Sequence, residues 1–147
     1  MAEEKGHKNF CRALNKIIIG KGLSKTEIKV IDGLLSVCKV ADFGEVDPSE
    51  RFNFISATDE ENSLICLTEN VPKNYTDRVD GWRAMRIQGV LDFSLIGILS
   101  KILGVLAEEQ IGIAAVSTFN TDYIFVKENQ LKKATEALSK AGYKILF

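Results

Sequence analysis

A single histidine, His7, in 147 residues removes much of the usual catalytic vocabulary. The H-E-x-x-H metal motif needs two imidazoles, and a Ser-His-Asp triad would have to draw on His7, which sits in the charged stretch MAEEKGHKNF. Cysteine is scarce too. Cys11, Cys38 and Cys66 are odd in number and far apart, with no C-x-x-C, which argues against a disulfide framework and against a zinc site. Reduced, mostly buried thiols follow, and no metal or cofactor is expected. A dominant charge is missing as well: 19 Lys and Arg face 20 Asp and Glu, so no field favours nucleic acid or an anionic membrane. No apolar run approaches the roughly 20 residues that span a bilayer, and the N-terminus lacks a signal peptide's apolar core. A cytoplasmic protein is expected, with a compact ligand or another protein as partner. Two short matches carry little. GKGLSK, Gly20 to Lys25, lacks the spacing of a phosphate loop, and the Asn74-Tyr75-Thr76 sequon has no secretory signal to give it meaning.

What is present is a run of short elements. Residues 9–19, NFCRALNKIII, place Phe10, Leu14, Ile17 and Ile18 on one helical face before Gly20. The next stretch reads two ways. Ser24 and Glu27 form a capping box with a Leu23/Ile28 staple, whereas Asp32-Gly33 between apolar runs suits a β-hairpin, and the β-branched residues favour the hairpin. After Pro48 come two strand-like runs, RFNFISA and SLICLTE, joined by the polar turn TDEEN. Pro72 and KNYTDRVDG read as a linker. From Trp82 the pattern is strand WRAMRIQ, turn GVLD, helix FSLIGILSKILGVLAEEQ, strand IGIAAVST, turn FNTD, strand YIFVKE, helix NQLKKATEALSKAG and strand YKILF. That order, β-α-β-β-α-β, is ferredoxin-like. The first of these helices has only a narrow polar stripe, Gly97, Ser100, Lys101, Gly104 and Glu108, so its apolar surface exceeds what one sheet requires. The second is one-sided, with Leu131, Ala134, Ala137, Leu138 and Ala141. An internal echo accompanies this: FISATDEENSLICLTEN superposes on IAAVSTFNTDYIFVKEN without a gap at an offset of 59 residues, which suggests two related halves, the first with a shortened crossover.

Residues GVLDFSLIGILSKILGVLAEEQIGIAAVSTFNTDYIFVKENQLKKATEAL resemble the ACT domain, and in the first half IDGLLSVCKV and ATDEENSLICLTENVP look similar. The Trp strand, the LDFS…G turn and the ST-x-x-TDY hairpin are most similar to small tandem-ACT proteins related to cytosolic arginine sensors and to aspartate kinase regulatory domains. The resemblance implies an α+β fold of two ferredoxin-like βαββαβ modules, the first abbreviated, with antiparallel sheets and helices on one face. Residues 1–27 would be an N-terminal extension with a short amphipathic helix, 28–78 the first module and 79–147 the second, complete one. The implied function is a non-catalytic regulatory module that binds an amino acid or a similar small zwitterion and works as a homo-oligomer, most simply a dimer. Where close relatives often carry Thr before the glycine of the turn, this chain has Ile96, so one side-chain hydroxyl is missing.

The residues themselves support such a site. Asp92, Phe93, Ser94, Leu95, Ile96 and Gly97 lead a strand into a helix, where the N–H groups through Ile98 and the positive end of the dipole suit a carboxylate. Asp92 and Ser94 suit an N-cap equally well. Ser117, Thr118, Asn120 and Asp122 offer hydroxyls, an amide and a carboxylate for an ammonium group, although Asn and Asp are also ordinary hairpin residues. Two rival classes remain. An interaction-only ACT-fold module would leave the cleft empty, and an enzyme would need a convergent acid, base or nucleophile that neither TDEEN nor Cys66 provides.

Overall fold

The computed structural model describes residues 26–89 and 97–147. In chain order the strands are β1 (Glu27–Val30), β2 (Leu35–Val40), β3 (Phe54–Ala57), β4 (Asn62–Leu67), β5 (Tyr75–Ile87), β6 (Ile113–Ser117), β7 (Asp122–Lys127) and β8 (Lys144–Leu146). Among the described residues the helices are α1 (Ile98–Glu108) and α2 (Glu128–Lys140), with one 3-10 turn at Thr68–Asn70. The amphipathic segment 9–19 and the capping residue Ser24 lie outside the described residues.

One strand organises the rest. β5 is 13 residues long, about 43 Å at a strand's rise, and serves as a template for two shorter strands laid end to end along one edge. β1 pairs antiparallel with its end, Ile28 opposite Ile87 and Val30 opposite Met85. β2 pairs with its beginning, from Leu35 opposite Trp82 to Val40 opposite Tyr75. The other edge holds β7, from Trp82 opposite Lys127 to Arg86 opposite Tyr123, and β6 lies outside β7. On the first edge, β4 and then β3 continue outward from β2, and β8 lies outside β1.

This arrangement corrects three expectations. The Asp32-Gly33 hairpin does not form, because β1 and β2 bond to β5 rather than to each other. A two-residue hairpin would put Val30 and Leu35 on one face. Here Val30 packs under the helices and Leu35 on the opposite side, so the Gly33 bend, at φ 97°, lets the chain change faces. The stretch read as a linker, KNYTDRVDG, is largely the first half of β5. Its polar side chains hid a strand that forms by backbone pairing with β2, and a bulge at Gly81, φ 79°, accommodates the register shift opposite Leu35/Val37. The sheet is also mixed rather than antiparallel. β1 occupies the place beside β5, so β8 pairs with β1 instead, and since both run antiparallel to β5 they are parallel to each other.

Three apolar clusters result. Ile28, Val30, Met85, Ile87, Ile124 and Val126 meet Ile102 and Leu106 of α1 and Ala134 and Leu138 of α2, so both helices cover one face. Ile98, Leu99, Leu103 and Val105 are partly buried against the same cluster, so much of the apparent apolar surplus of α1 is used within the fold. On the opposite face, Phe54 of β3 meets Tyr123 and Phe125 of β7 edge to face, with centroids 4.9 and 5.4 Å apart. β3 and β7 are not neighbours in the sheet, so the β2-β4-β3 wing curls back over β7. On the wing's other face, Cys38, Val40, Leu64 and Cys66 pack under Phe43, Val46 and Val71. Burial raises both thiol pKa values, that of Cys66 to about 11, which keeps them protonated and unreactive at neutral pH.

The two hairpins correspond in detail. Ala57 opposes Asn62 as Ser117 opposes Asp122, and Phe54 opposes Ile65 as Ala114 opposes Phe125. The structural offset is therefore 60 residues rather than 59, as between Thr58 and Thr118. Both threonines close their turns alike, with N–H bonds to Glu61 O (2.9 Å) and Thr121 O (2.8 Å) and hydroxyl bonds to the same oxygens.

Two glycines separate backbone requirement from helix propensity. Gly33 has a positive φ, and a Cβ there would meet Leu67 Cδ2 at 3.0 Å; Gly104, inside α1, has open space around it. Urea denaturation should show Gly33→Ala destabilised by about 1–2 kcal/mol and Gly104→Ala stabilised by about 0.5–1 kcal/mol.

Candidate functional site

The hairpin candidates lie at the carboxyl end of β5. Thr121, buried at the tip of the β6–β7 hairpin, donates its hydroxyl to Ile87 O at 2.6 Å and so fastens the hairpin to that end. On the other edge Gln88 N–H bonds Glu27 O at 2.9 Å. The described chain resumes at Gly97, which holds the N-cap position of α1 at φ 84° without a side-chain cap. Lys101 N–H bonds Gly97 O at 3.0 Å, starting the ladder, so the N–H groups of Ile98, Leu99 and Ser100 have no partner within the helix. The N-cap position of α1 is thus held by Gly97. Asp92, Phe93, Ser94, Leu95 and Ile96 lie outside the described residues.

The hairpin residues are drawn into one clasp. Ser117 and Asp122 are the closing pair, and the Ser117 hydroxyl donates to Asp122 Oδ1 at 2.5 Å. Thr118 donates both its N–H and its hydroxyl to Thr121 O, each at 2.8 Å, while Asn120 is exposed at the tip. Ser117, Thr118 and Asp122 therefore come together, and Thr121, which sequence reasoning passed over, ties them to β5. A threonine between Asn120 and Asp122 looks like any turn residue in sequence. Only the pairing of β7 with β5 reveals its role.

A second polar cluster was also missed, because its centre lies in the presumed linker. Wholly buried Ser36 sits 2.9 Å from Thr68 Oγ1 and donates to Asp80 Oδ1 at 2.5 Å, and Arg78 Nε donates to the same oxygen at 2.6 Å. Arg78, and then Ser36, hold the Asp80 carboxyl below the usual carboxylate range. Lys127 Nζ donates to Asp80 O at 2.7 Å and lies 4.3 Å from the centroid of the Trp82 ring. This cluster joins β2, β5 and β7 where the bulge interrupts the ladder.

Chemically, the hairpin fastened to the end of β5 offers hydroxyl and carboxylate groups, and α1, which follows β5 in the chain, offers backbone donors at its N-terminus. Among the described residues no three His, Cys, Asp or Glu side chains converge in a metal-binding arrangement, and no helix is long and apolar enough to cross a membrane.

The helix-covered face, with β6, β7, β5 and β8 connected through α1 and α2, is a ferredoxin-like arrangement opened by the insertion of β1. Residues 77–140 match the model of the ACT domain. Its structure is similar to that of an Agobacterium tumefaciens protein, with 29% identity and a TM-score of 0.74 over 84% of this chain and 93% of the other. It is similar in fold to the ligand-free regulatory subunit of aspartate kinase from Thermus thermophilus, with 10% identity and a TM-score of 0.54 over 80% and 97% of the two chains. Aspartate kinase from Synechocystis shares the fold at 14% identity and a TM-score of 0.58, over 84% of this chain but 28% of the kinase. No curated protein matches the chain in sequence.

Thr121→Val keeps the shape of the side chain and removes its bond to Ile87 O. The loss should be about 1–2 kcal/mol in urea denaturation, with faster hydrogen exchange at the hairpin tip. Unchanged stability and exchange would show that the hydroxyl does not fasten the hairpin.

Proposed function

We propose that the chain is a non-catalytic regulatory ACT protein that binds an amino acid or similar small zwitterion at the carboxyl end of β5. The observation that carries the reading is the Ser117–Asp122 clasp, tied by Thr121 to Ile87, with α1 opening ten residues further along the chain at Gly97 without a side-chain cap. The ligand carboxylate takes the N–H groups of the turn, from Ser94 to Ile98, where the helix dipole favours negative charge. Its ammonium takes Asp122, Asn120 or neighbouring carbonyl oxygens.

Two modules build this protein in the same reading: residues 28–78 form an abbreviated first module and 79–147 a complete second one. The matched hairpins support it, as does the 3-10 turn at Thr68–Asn70 where the second module has α2. A dimer would place the ligand site at a junction between modules. A second reading, an interaction module with no ligand, draws support from the clasp itself, since the Ser117 and Thr118 hydroxyls already bond within the hairpin.

Titration calorimetry against the twenty amino acids separates the readings. A charge-assisted hydrogen bond contributes about 1.5–3 kcal/mol, so Asp122→Asn should weaken binding by about ten- to a hundredfold. Gly97→Val should do likewise by forcing a β-branched residue to φ 84°. Equal binding by the native protein and both folded variants would reject the site, and no heat with any amino acid would favour the interaction module.

A further inference from the structure

Among the described residues the outer edge of β8 is unguarded: nothing pairs with it on the side away from β1. Ile145 and Leu146 are only partly buried, and Phe147 is 86% exposed. Natural edges are usually blunted by charge, a bulge or a cover. Here Lys144 is the only charged residue of the strand, and its ammonium is held by Glu27 of β1 at 2.6 Å. Beside this edge, between α2 and β8, an open depression of about 500 Å³ is walled by Thr135, Glu136, Ser139, Tyr143, Ile145 and Phe147.

The chain itself arrives at this rim. Lys144 N–H bonds Thr26 O at 3.1 Å, so the 25 residues preceding the first described one start beside the depression. Their sequence suits it in two independent ways. Phe10, Leu14, Ile17 and Ile18 recur at helical spacing, and Ile18 is eight residues from Thr26, a reach of roughly 25–30 Å. Charge is also split along the chain. Residues 1–25 carry six Lys and Arg against two Glu, and residues 26–147 carry thirteen against eighteen acidic groups; on the depression's wall Glu136 is free of the Lys144 ammonium, which Glu27 holds. A basic amphipathic segment is thus tethered next to an apolar edge on an acidic body.

We propose that residues 9–19 dock their apolar face into the depression between α2 and β8 of the same chain, covering the β8 edge. The cover supplies apolar contacts for Tyr143, Ile145 and Phe147, and the segment's positive charge favours the acidic body at moderate salt.

Hydrogen exchange with mass spectrometry on the full-length chain tests this. In Leu14→Asp/Ile18→Asp, a peptide spanning 143–147 should exchange at least about tenfold faster than in the native protein, while β5 peptides stay unchanged. Ser139→Arg, on the exposed wall, should give the same acceleration at 143–147 and release protection of residues 9–19. Equal exchange at 143–147 in native protein and variants overturns the proposal. So does native protection that fades on dilution, which would assign the edge to a second copy of the chain.

Discussion

The fold depends on one constraint: β5 must stay extended over its whole length while three strands bond to it. Its first half is polar and exposed, so no burial of its own side chains holds it straight. Pairing with β2 does that, and β2 is itself held by β4 and by the apolar clusters on both of its faces. The second half is buried between the helices and the curled wing, with Ala84, Met85 and Ile87 fully inaccessible. One backbone thus joins a wing-supported half to a helix-supported half. The bulge at Gly81 lies between them, bridged by the hydrogen bonds of Ser36, Arg78 and Lys127 to Asp80.

That continuity bears on function. The candidate site sits at the carboxyl end of β5, and the Asp80 cluster sits near its middle. A ligand that tightened the hairpin and helix N-terminus would act on a strand whose other half carries the wing. In the proposed reading β5 is the element common to both parts, since the hairpin and the wing each bond to it.

Much of this was legible in the sequence, for definite reasons. The strands and helices after Trp82 are strongly periodic, and the TDEEN and FNTD turns each sit between β-branched runs, so their hairpins follow from local pattern. Asp32-Gly33 misled because its local preference for a tight turn was real, yet each flanking strand gained more by bonding to β5. The beginning of β5 misled for the opposite reason: a strand ordered by backbone pairing alone leaves no apolar alternation to read. The offset of 59 came from aligning Glu-Asn pairs, whereas turn hydrogen bonds set the offset at 60, since register is fixed by the closing pair. At the site, Ser117, Thr118 and Asp122 were visible as polar residues on a turn. Thr121 was not, because its partner is a backbone carbonyl 34 residues away.

The most direct test of β5 as a shared spine is residue-resolved native-state hydrogen exchange across a urea series. If the strand is one spine, the amides of 75–79 that bond to β2 and those of 82–87 should lose protection in a single cooperative step with the same denaturant dependence. Opening of 75–79 together with the β2-β4-β3 wing at clearly lower urea, with 82–87 still protected, would contradict the account and make the halves independent units.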